Sequence, residues 1–201
     1  MEQFIAVAIA HFLALLIPGV DFFLIVRTTM TSGWRNAAGA SLGIATANGV
    51  FIIAAFSGLA FISNPSVLAV IQLAGGAFLV FIGLAFIRSN TRFEPEQDLS
   101  VARTTWLTNF GLGIASGLLN PKNALFYLSL AAALAGAPPV TLIAYGVWMF
   151  MIVLVWDIFV AIAFGSRRAL TRLGPVVPWL TKIAGGFLTV VGVSMIGSIV
   201  L

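Results

Sequence analysis

Three ionisable side chains lie inside long apolar stretches of this 201-residue sequence: Asp21, Lys122 and Asp157. A charge at the centre of a bilayer costs about 2.5–3.5 kcal/mol on insertion scales, so each should face a polar interior or a partner. Lys122 lies too deep in its stretch to reach the lipid headgroups easily. We therefore expect it to anchor a substrate carboxylate or to act as a counter-ion, and the alternative is a purely structural ion pair.

The two aspartates differ in their surroundings. Asp21 falls in the first turn after Pro18-Gly19, where free N–H groups and the helix dipole favour an ionised carboxylate. It is a candidate partner for an ammonium group or for Lys122, unless it only caps its own helix. Asp157 has no helix start beside it, and apolar surroundings favour the protonated form of a carboxyl group. Asp157 is therefore the predicted proton-coupling residue, with a buried hydrogen bond between helices as the alternative.

Two proline-containing pairs, Pro18-Gly19 and Asn120-Pro121, lie within apolar stretches rather than at their ends. Proline removes a helical hydrogen bond and clashes with the preceding turn, so both helices should break there unless the prolines only kink them for packing. A helix that starts at each break would present N–H groups that suit a carboxylate. Asn120 is predicted to cap the second start, with proline at its first position. The predicted substrate-binding residues are Pro18, Gly19, Asp21, Asn120, Pro121 and Lys122.

Several kinds of chemistry are excluded by residue counts. The sequence has no cysteine and a single histidine, His11, so we predict no metal site and no cofactor. His11 is expected to form an interhelical hydrogen bond, and a proton relay is the alternative. Gly39–Gly43 matches the G-x-S-x-G pattern of hydrolases but lacks the acid–histidine pair, so it indicates a close helix contact, as does Gly113–Gly117. We predict no catalytic residues and no enzyme activity.

The elements that carry these residues are apolar throughout. Hydrophobic residues make up 61% of the chain and charged residues only 8%, against roughly 25% in soluble domains. The mean hydropathy of +1.12 suits a chain whose exterior faces lipid. The ten basic residues are scattered, which argues against nucleic-acid binding. Six stretches of membrane-spanning length are predicted as helices of a single transmembrane domain, roughly at 4–26, 38–62, 66–88, 109–135, 140–164 and 176–200.

The arginines predict the orientation of these helices. All eight lie in or beside alternate connectors, at 27–37, 89–108 and 165–175: Arg27, Arg35, Arg88, Arg92, Arg103, Arg167, Arg168 and Arg172. Because short cytoplasmic loops hold the positive excess, these three connectors are predicted to be cytoplasmic and both termini to lie outside the cytoplasm. Glu2 stands where a signal peptide would carry a basic residue, so the first stretch is read as a retained span.

The two halves of the sequence resemble each other. Leu73–Gly83, which contains Ala-Gly-Gly, matches Ile183–Gly192 with one deletion, and each half begins with a Pro-broken stretch. With three spans in each half, the second half enters the membrane from the opposite side. We therefore predict an all-α integral membrane protein whose six transmembrane helices form two inverted three-helix repeats, at about 1–88 and 109–201, joined by the loop at 89–108.

The Pro-Gly-Val-Asp-Phe-Phe stretch at 18–23, Asn-Pro-Lys at 120–122, the Ala-Gly-Gly pairs and Asp157 together resemble the LysE/RhtB-type amino-acid exporter family. The resemblance covers nearly the whole chain. Val20 stands where that family's first motif has a second proline. The resemblance implies a secondary exporter of a small amino acid or derivative in the bacterial inner membrane, working by proton antiport.

The partners expected of such an exporter are the substrate, the proton and membrane lipid. The sequence is also compatible with a homo-oligomer. Two rival readings remain at this stage: a membrane assembly subunit that transports nothing, and an enzyme embedded in the membrane.

Overall fold

The computed structural model describes residues 2–60, 65–88, 104–164 and 177–200, and all regular structure in these ranges is α-helical. This confirms the all-α prediction. The eight helices are α1 (Glu2–Leu16), α2 (Val20–Ser32), α3 (Trp34–Ala60), α4 (Pro65–Arg88), α5 (Trp106–Leu119), α6 (Pro121–Ala133), α7 (Pro139–Ala163) and α8 (Val177–Val200).

Four of these helices, α3, α4, α7 and α8, are long and apolar enough to cross a membrane. Helices α1 and α2 add a fifth candidate span if they are counted together, and α5 is apolar but shorter. The surface agrees with this assignment, since Leu119, Val140 and Leu107 are each more than 70% exposed, whereas Asn109 and Asn123 are buried. Apolar groups outside and polar groups inside are typical of a protein whose solvent is lipid.

Both predicted helix breaks are present. Helix α1 ends at Leu16 and α2 begins at Val20, and the two axes differ in direction by 53°. Helix α5 ends at Leu119 and α6 begins at Pro121. The Asn120 side chain accepts a hydrogen bond of 3.1 Å from the Lys122 N–H, which confirms the predicted cap. Each break therefore creates a helix start within an apolar region.

The predicted bounds of the first connector, 27–37, were wrong, because the connector is much shorter. Helix α2 continues to Ser32 and α3 begins at Trp34, so Gly33 alone links them. Its φ of +84° lies in the left-handed region, which glycine adopts readily and which interrupts the helix at one residue. Arg27 consequently lies on α2, and Arg35 lies in the first turn of α3.

The second predicted connector, 89–108, also ends too late. Helix α5 begins at Trp106, because the Thr105 side chain caps it by accepting a hydrogen bond from the Thr108 N–H. Arg88 lies in the last turn of α4. The remaining arginines used to predict the orientation lie outside the described residues: Arg92, Arg103, Arg167, Arg168 and Arg172.

Glycines allow α3 and α5 to pack with their backbones close together. A Cβ atom at Gly43 would clash with the Phe110 carbonyl oxygen, and one at Gly113 would clash with the Ala40 carbonyl oxygen. This confirms the predicted helix contacts at Gly39–Gly43 and Gly113–Gly117. Helix α5 is thereby held directly against α3, which fixes the position of the second break.

Candidate functional site

A cavity of about 60 Å³ lies at the two helix breaks. Asp21, Lys122 and Asp157 all line it, so the structure brings together the three ionisable residues that the sequence placed inside spans. Most of the remaining wall is apolar. At about 30 Å³ for each water molecule, the volume corresponds to about two waters.

The Asp21 carboxylate joins the first break to the second. Its Oδ1 accepts a hydrogen bond of 2.6 Å from Ser116 Oγ on α5. Its Oδ2 accepts hydrogen bonds from the side-chain amides of Asn120 and Asn123, at 3.1 and 2.9 Å. A carboxylate offers about four lone-pair positions, so about one remains for a ligand. Asp21 therefore does more than cap its own helix, because it ties α2 to both α5 and α6.

Lys122 is the second residue of α6 and lies against the first break. A Cβ atom built on Gly19 would lie 3.5 Å from Lys122 Nζ, in ordinary van der Waals contact, so the ammonium group lies directly beside the first break. Within the described part of the chain, no ion pair of 4 Å or less joins Lys122 to Asp21 or Asp157. The ammonium is thus close to two carboxylates that line the same cavity but is not paired with either.

The two helix starts differ in the N–H groups that they can offer to an anion. At α6, the first residue is Pro121, which has no N–H group. The next two N–H groups already have acceptors on Asn120: the Lys122 N–H donates to its side-chain oxygen and the Asn123 N–H to its carbonyl oxygen. At α2, Gly19 has no side chain that could cap the helix. The start of α2 is therefore the better place for a carboxylate, beside Lys122 Nζ.

Asp157 lies on α7 with 7% of its surface exposed. Its Oδ2 is buried and has no hydrogen-bond partner among the described residues. An unpartnered buried polar atom is costly and needs an explanation such as a bound proton, water or ligand. The alternative role of Asp157 was a buried hydrogen bond between helices, and Oδ2 does not form one among the described residues.

His11 forms the predicted interhelical hydrogen bond. Its Nε2 lies 3.1 Å from the Tyr127 hydroxyl, which joins α1 to α6, and both side chains are almost fully buried. Pro18 lies in the break between α1 and α2. Two further polar residues, Asn48 and Asn123, also line the cavity, whereas Gln72 donates a hydrogen bond to the Ala132 carbonyl oxygen.

Sequence reasoning did not identify Ser116 and Tyr127 as residues of this site. Ser116 lies about one turn before Asn120 and Tyr127 lies about two turns after it, so helical spacing relates both residues to the second break. That spacing was the available signal. It becomes informative only when the partner helix, carrying Asp21 or His11, is known.

Broken helices that meet at a small charged cavity within an apolar helical bundle are features of a membrane transporter. The sequence profile of the LysE type translocator family matches residues 12–198, and the chain belongs to this family. It is therefore a translocator and not an enzyme.

Several relatives match along most or part of the chain. Threonine efflux protein of Escherichia coli (strain K12) is 28% identical over 204 residues, which cover 96% of this chain and 97% of the relative. Threonine efflux protein of Salmonella typhimurium (strain LT2) is 25% identical, with 98% of both chains covered. Chemotactic transduction protein ChpE of Pseudomonas aeruginosa is 30% identical over 59% of this chain and 58% of its own. No solved structure matches the chain significantly.

Proposed function

We propose that this protein is a secondary active exporter of a small amino acid or amino-acid derivative across the bacterial inner membrane, driven by proton antiport. The observation that carries the proposal is the cavity at the two breaks, lined by one ammonium and two carboxyl side chains. The names of the threonine efflux relatives support both the substrate class and the outward direction.

The zwitterionic end of the substrate binds at the first break. Its carboxylate meets Lys122 Nζ and the start of α2, where Gly19 lies beside the ammonium group and provides no side-chain cap. Pro18 contributes by ending α1 before this point. The substrate ammonium group meets the free lone pair of Asp21. Asn120 and Pro121 contribute by starting α6 and so placing Lys122.

Asp157 carries the coupling proton in this scheme. It lines the same cavity as the substrate groups, and its unpartnered Oδ2 is free to bind a proton. An antiporter needs the proton and the substrate to use one site that faces the two sides of the membrane in turn. Placing the proton on a carboxyl of the substrate cavity meets that requirement.

Access alternates when one three-helix repeat rocks against the other. The contact between α4 and α8 supports the inverted repeat, because a Cβ atom at Gly76 would approach the Gly192 carbonyl oxygen to 3.0 Å and one at Gly185 would approach that of Gly83 to 2.6 Å. The two matching segments therefore pack against each other in opposite directions, as an inverted repeat predicts. In this proposal six spans place both termini outside the cytoplasm.

The test is transport of L-threonine into proteoliposomes that contain the purified protein and carry an imposed pH gradient. We expect accumulation of L-threonine against its gradient, and Asp157→Asn should abolish accumulation while leaving threonine–threonine exchange. The wild-type protein without a pH gradient is the control. Unaltered accumulation in Asp157→Asn would remove this residue from coupling, and absence of any amino-acid flux in the wild type would favour an assembly subunit.

A further inference from the structure

Helix α7 runs past the cavity and carries aromatic residues on both sides of Asp157, which lines the cavity. Along the helix axis, Trp148 lies about 14 Å from Asp157 in one direction and Phe164 about 11 Å from it in the other. Trp148 contacts the His11 ring, with centroids 5.8 Å apart, and Phe164 contacts the Phe22 ring at 5.1 Å. Because His11 and Phe22 also line the cavity, aromatic contacts lie at both of its ends.

The contacts at the His11 end join α1 to α6 and α7. His11 Nε2 lies 3.1 Å from the Tyr127 hydroxyl on α6. Phe4, about two turns earlier on α1, contacts two rings on α7. These are the rings of Tyr145 and Trp148, whose centroids lie 5.3 and 5.4 Å from that of Phe4. All of these contacts are made between side chains.

Glycines hold other pairs of helices together at the backbone. The contact of α3 with α5 at Gly43 and Gly113 leaves no space for a Cβ atom, and neither does the contact of α4 with α8 at Gly83 and Gly185. Helices α1 and α2 contain no glycine. Dense backbone packing resists separation because many atomic contacts would be lost together. The side-chain contacts of α1 can therefore open while these packed pairs remain intact.

The first break gives α1 a hinge. Residues 17–19 lie outside both α1 and α2, whose axes differ in direction by 53°. A few residues at the end of an element can absorb the changes in φ and ψ that a hinge motion requires. Helix α2 is held in place beyond the hinge, because Asp21 accepts the hydrogen bond of 2.6 Å from Ser116 on α5.

We propose that α1 is the gate at the His11 end of the cavity. The gate opens when α1 moves away from α6 and α7, which breaks the hydrogen bond between His11 and Tyr127. At this end, α1 carries the relative movement of the two repeats, while α2 stays bound to α5. This inference rests on the proposed function, because a transporter must open each end of its site in turn. His11 and Tyr127 act in the gate without needing to touch the substrate.

The sequence contains no cysteine, so single cysteines can report which side of the membrane reaches the cavity. Ala14→Cys places a reporter on the cavity wall, and Gln3→Cys, on the exposed surface near the start of α1, identifies the His11 side. Labelling by a membrane-impermeant methanethiosulfonate is measured without substrate, in vesicles of both orientations. We expect Tyr127→Phe to speed labelling of Ala14→Cys from the His11 side by at least about fivefold, because the unpaired His11 Nε2 gains water when the gate opens.

Ser116→Ala is the matched control for the labelling experiment. It removes a hydroxyl that also joins the two repeats, but on the other side of the breaks. It should leave the labelling of Ala14→Cys from the His11 side unchanged. An unaltered labelling rate in Tyr127→Phe, or an equal rise from both sides of the membrane, would overturn the inference.

A cross-link across the gate tests whether transport needs this movement. Phe4→Cys combined with Tyr145→Cys, bridged by a short bifunctional methanethiosulfonate, should lose L-threonine exchange in proteoliposomes and regain it on reduction. Ile52→Cys combined with Gly146→Cys is the control. A Cβ atom at Gly146 on α7 would lie 3.1 Å from the Ile52 side chain on α3, so this bridge also joins the two repeats, away from α1. Its cross-link should leave exchange intact.

Each outcome separates the gate from the proposed function. L-Threonine exchange that survives the bridge between α1 and α7 would overturn the inference and leave the proposed function in place. If the cysteine pair does not fold, the labelling rates decide. Absence of amino-acid exchange in the wild type would refute the proposed function, whereas the labelling rates, measured without substrate, still decide whether α1 opens this end of the cavity.

Discussion

Replacing Lys122 with glutamine separates a substrate-binding role from a structural one. An ammonium within the bilayer costs about 2.5–3.5 kcal/mol on insertion scales, so some gain must offset it. In the described residues Lys122 forms no ion pair of 4 Å or less, and three neutral side chains already donate hydrogen bonds to Asp21. Removing the charge therefore leaves Asp21 with its partners.

We expect Lys122→Gln to keep the fold and to melt at the wild-type temperature or slightly above it. The affinity for L-threonine should fall by more than about tenfold, equivalent to 1.4 kcal/mol. A structural ion pair predicts the opposite pattern, because loss of one partner of a buried pair costs about 3–5 kcal/mol of stability on the precedent of soluble proteins.

The assay is a thermal melt of purified protein in lipid nanodiscs combined with L-threonine binding per folded molecule. Lys182→Gln is the matched control, because Lys182 is the other lysine of the sequence and is exposed on α8. Its melting temperature and its affinity should both match those of the wild type. A Lys122→Gln protein that melts much earlier and binds L-threonine unchanged would refute the reasoning.

Two further predictions concern packing and orientation. Gly43→Ala should destabilise the protein by about 1–3 kcal/mol, because the new Cβ atom would meet the Phe110 carbonyl oxygen. Gly58→Ala on the same helix is the control, because its Cβ atom would enter open space, and its stability should stay within about 0.5 kcal/mol of the wild type. Thermal melts measure both variants. A C-terminal alkaline-phosphatase fusion should be active and a C-terminal fluorescent cytoplasmic reporter dark, since the arginine-rich connectors predict an external C-terminus. The reverse pattern would contradict the topology.

Helix content and the two breaks were predictable because they depend on local chemistry. Apolar length and proline act within one segment, and Asn120 caps a helix that starts one residue later. The link at Gly33 was missed because a helix break at one residue depends on its φ of +84°, which glycine permits but does not impose.

The partners of the site residues were not predictable in the same way. Asp21 and Ser116 are 95 residues apart, and His11 and Tyr127 are 116 apart, so each contact depends on how distant helices pack. The sequence did indicate that Asp21 and Lys122 need a polar environment, because their charges lie in apolar stretches. It did not indicate that amide groups of the second break, rather than Lys122, would bind the Asp21 carboxylate.

We propose that Lys122 binds the substrate carboxylate in the cavity at the two breaks. The most direct test measures binding of L-threonine and of its neutral carboxamide to the wild type and to Lys122→Gln, which isolates the interaction between ligand charge and side-chain charge. We expect the wild type to prefer L-threonine by at least about tenfold, equivalent to 1.4 kcal/mol, and Lys122→Gln to lose that preference. The same preference in both proteins would contradict the account.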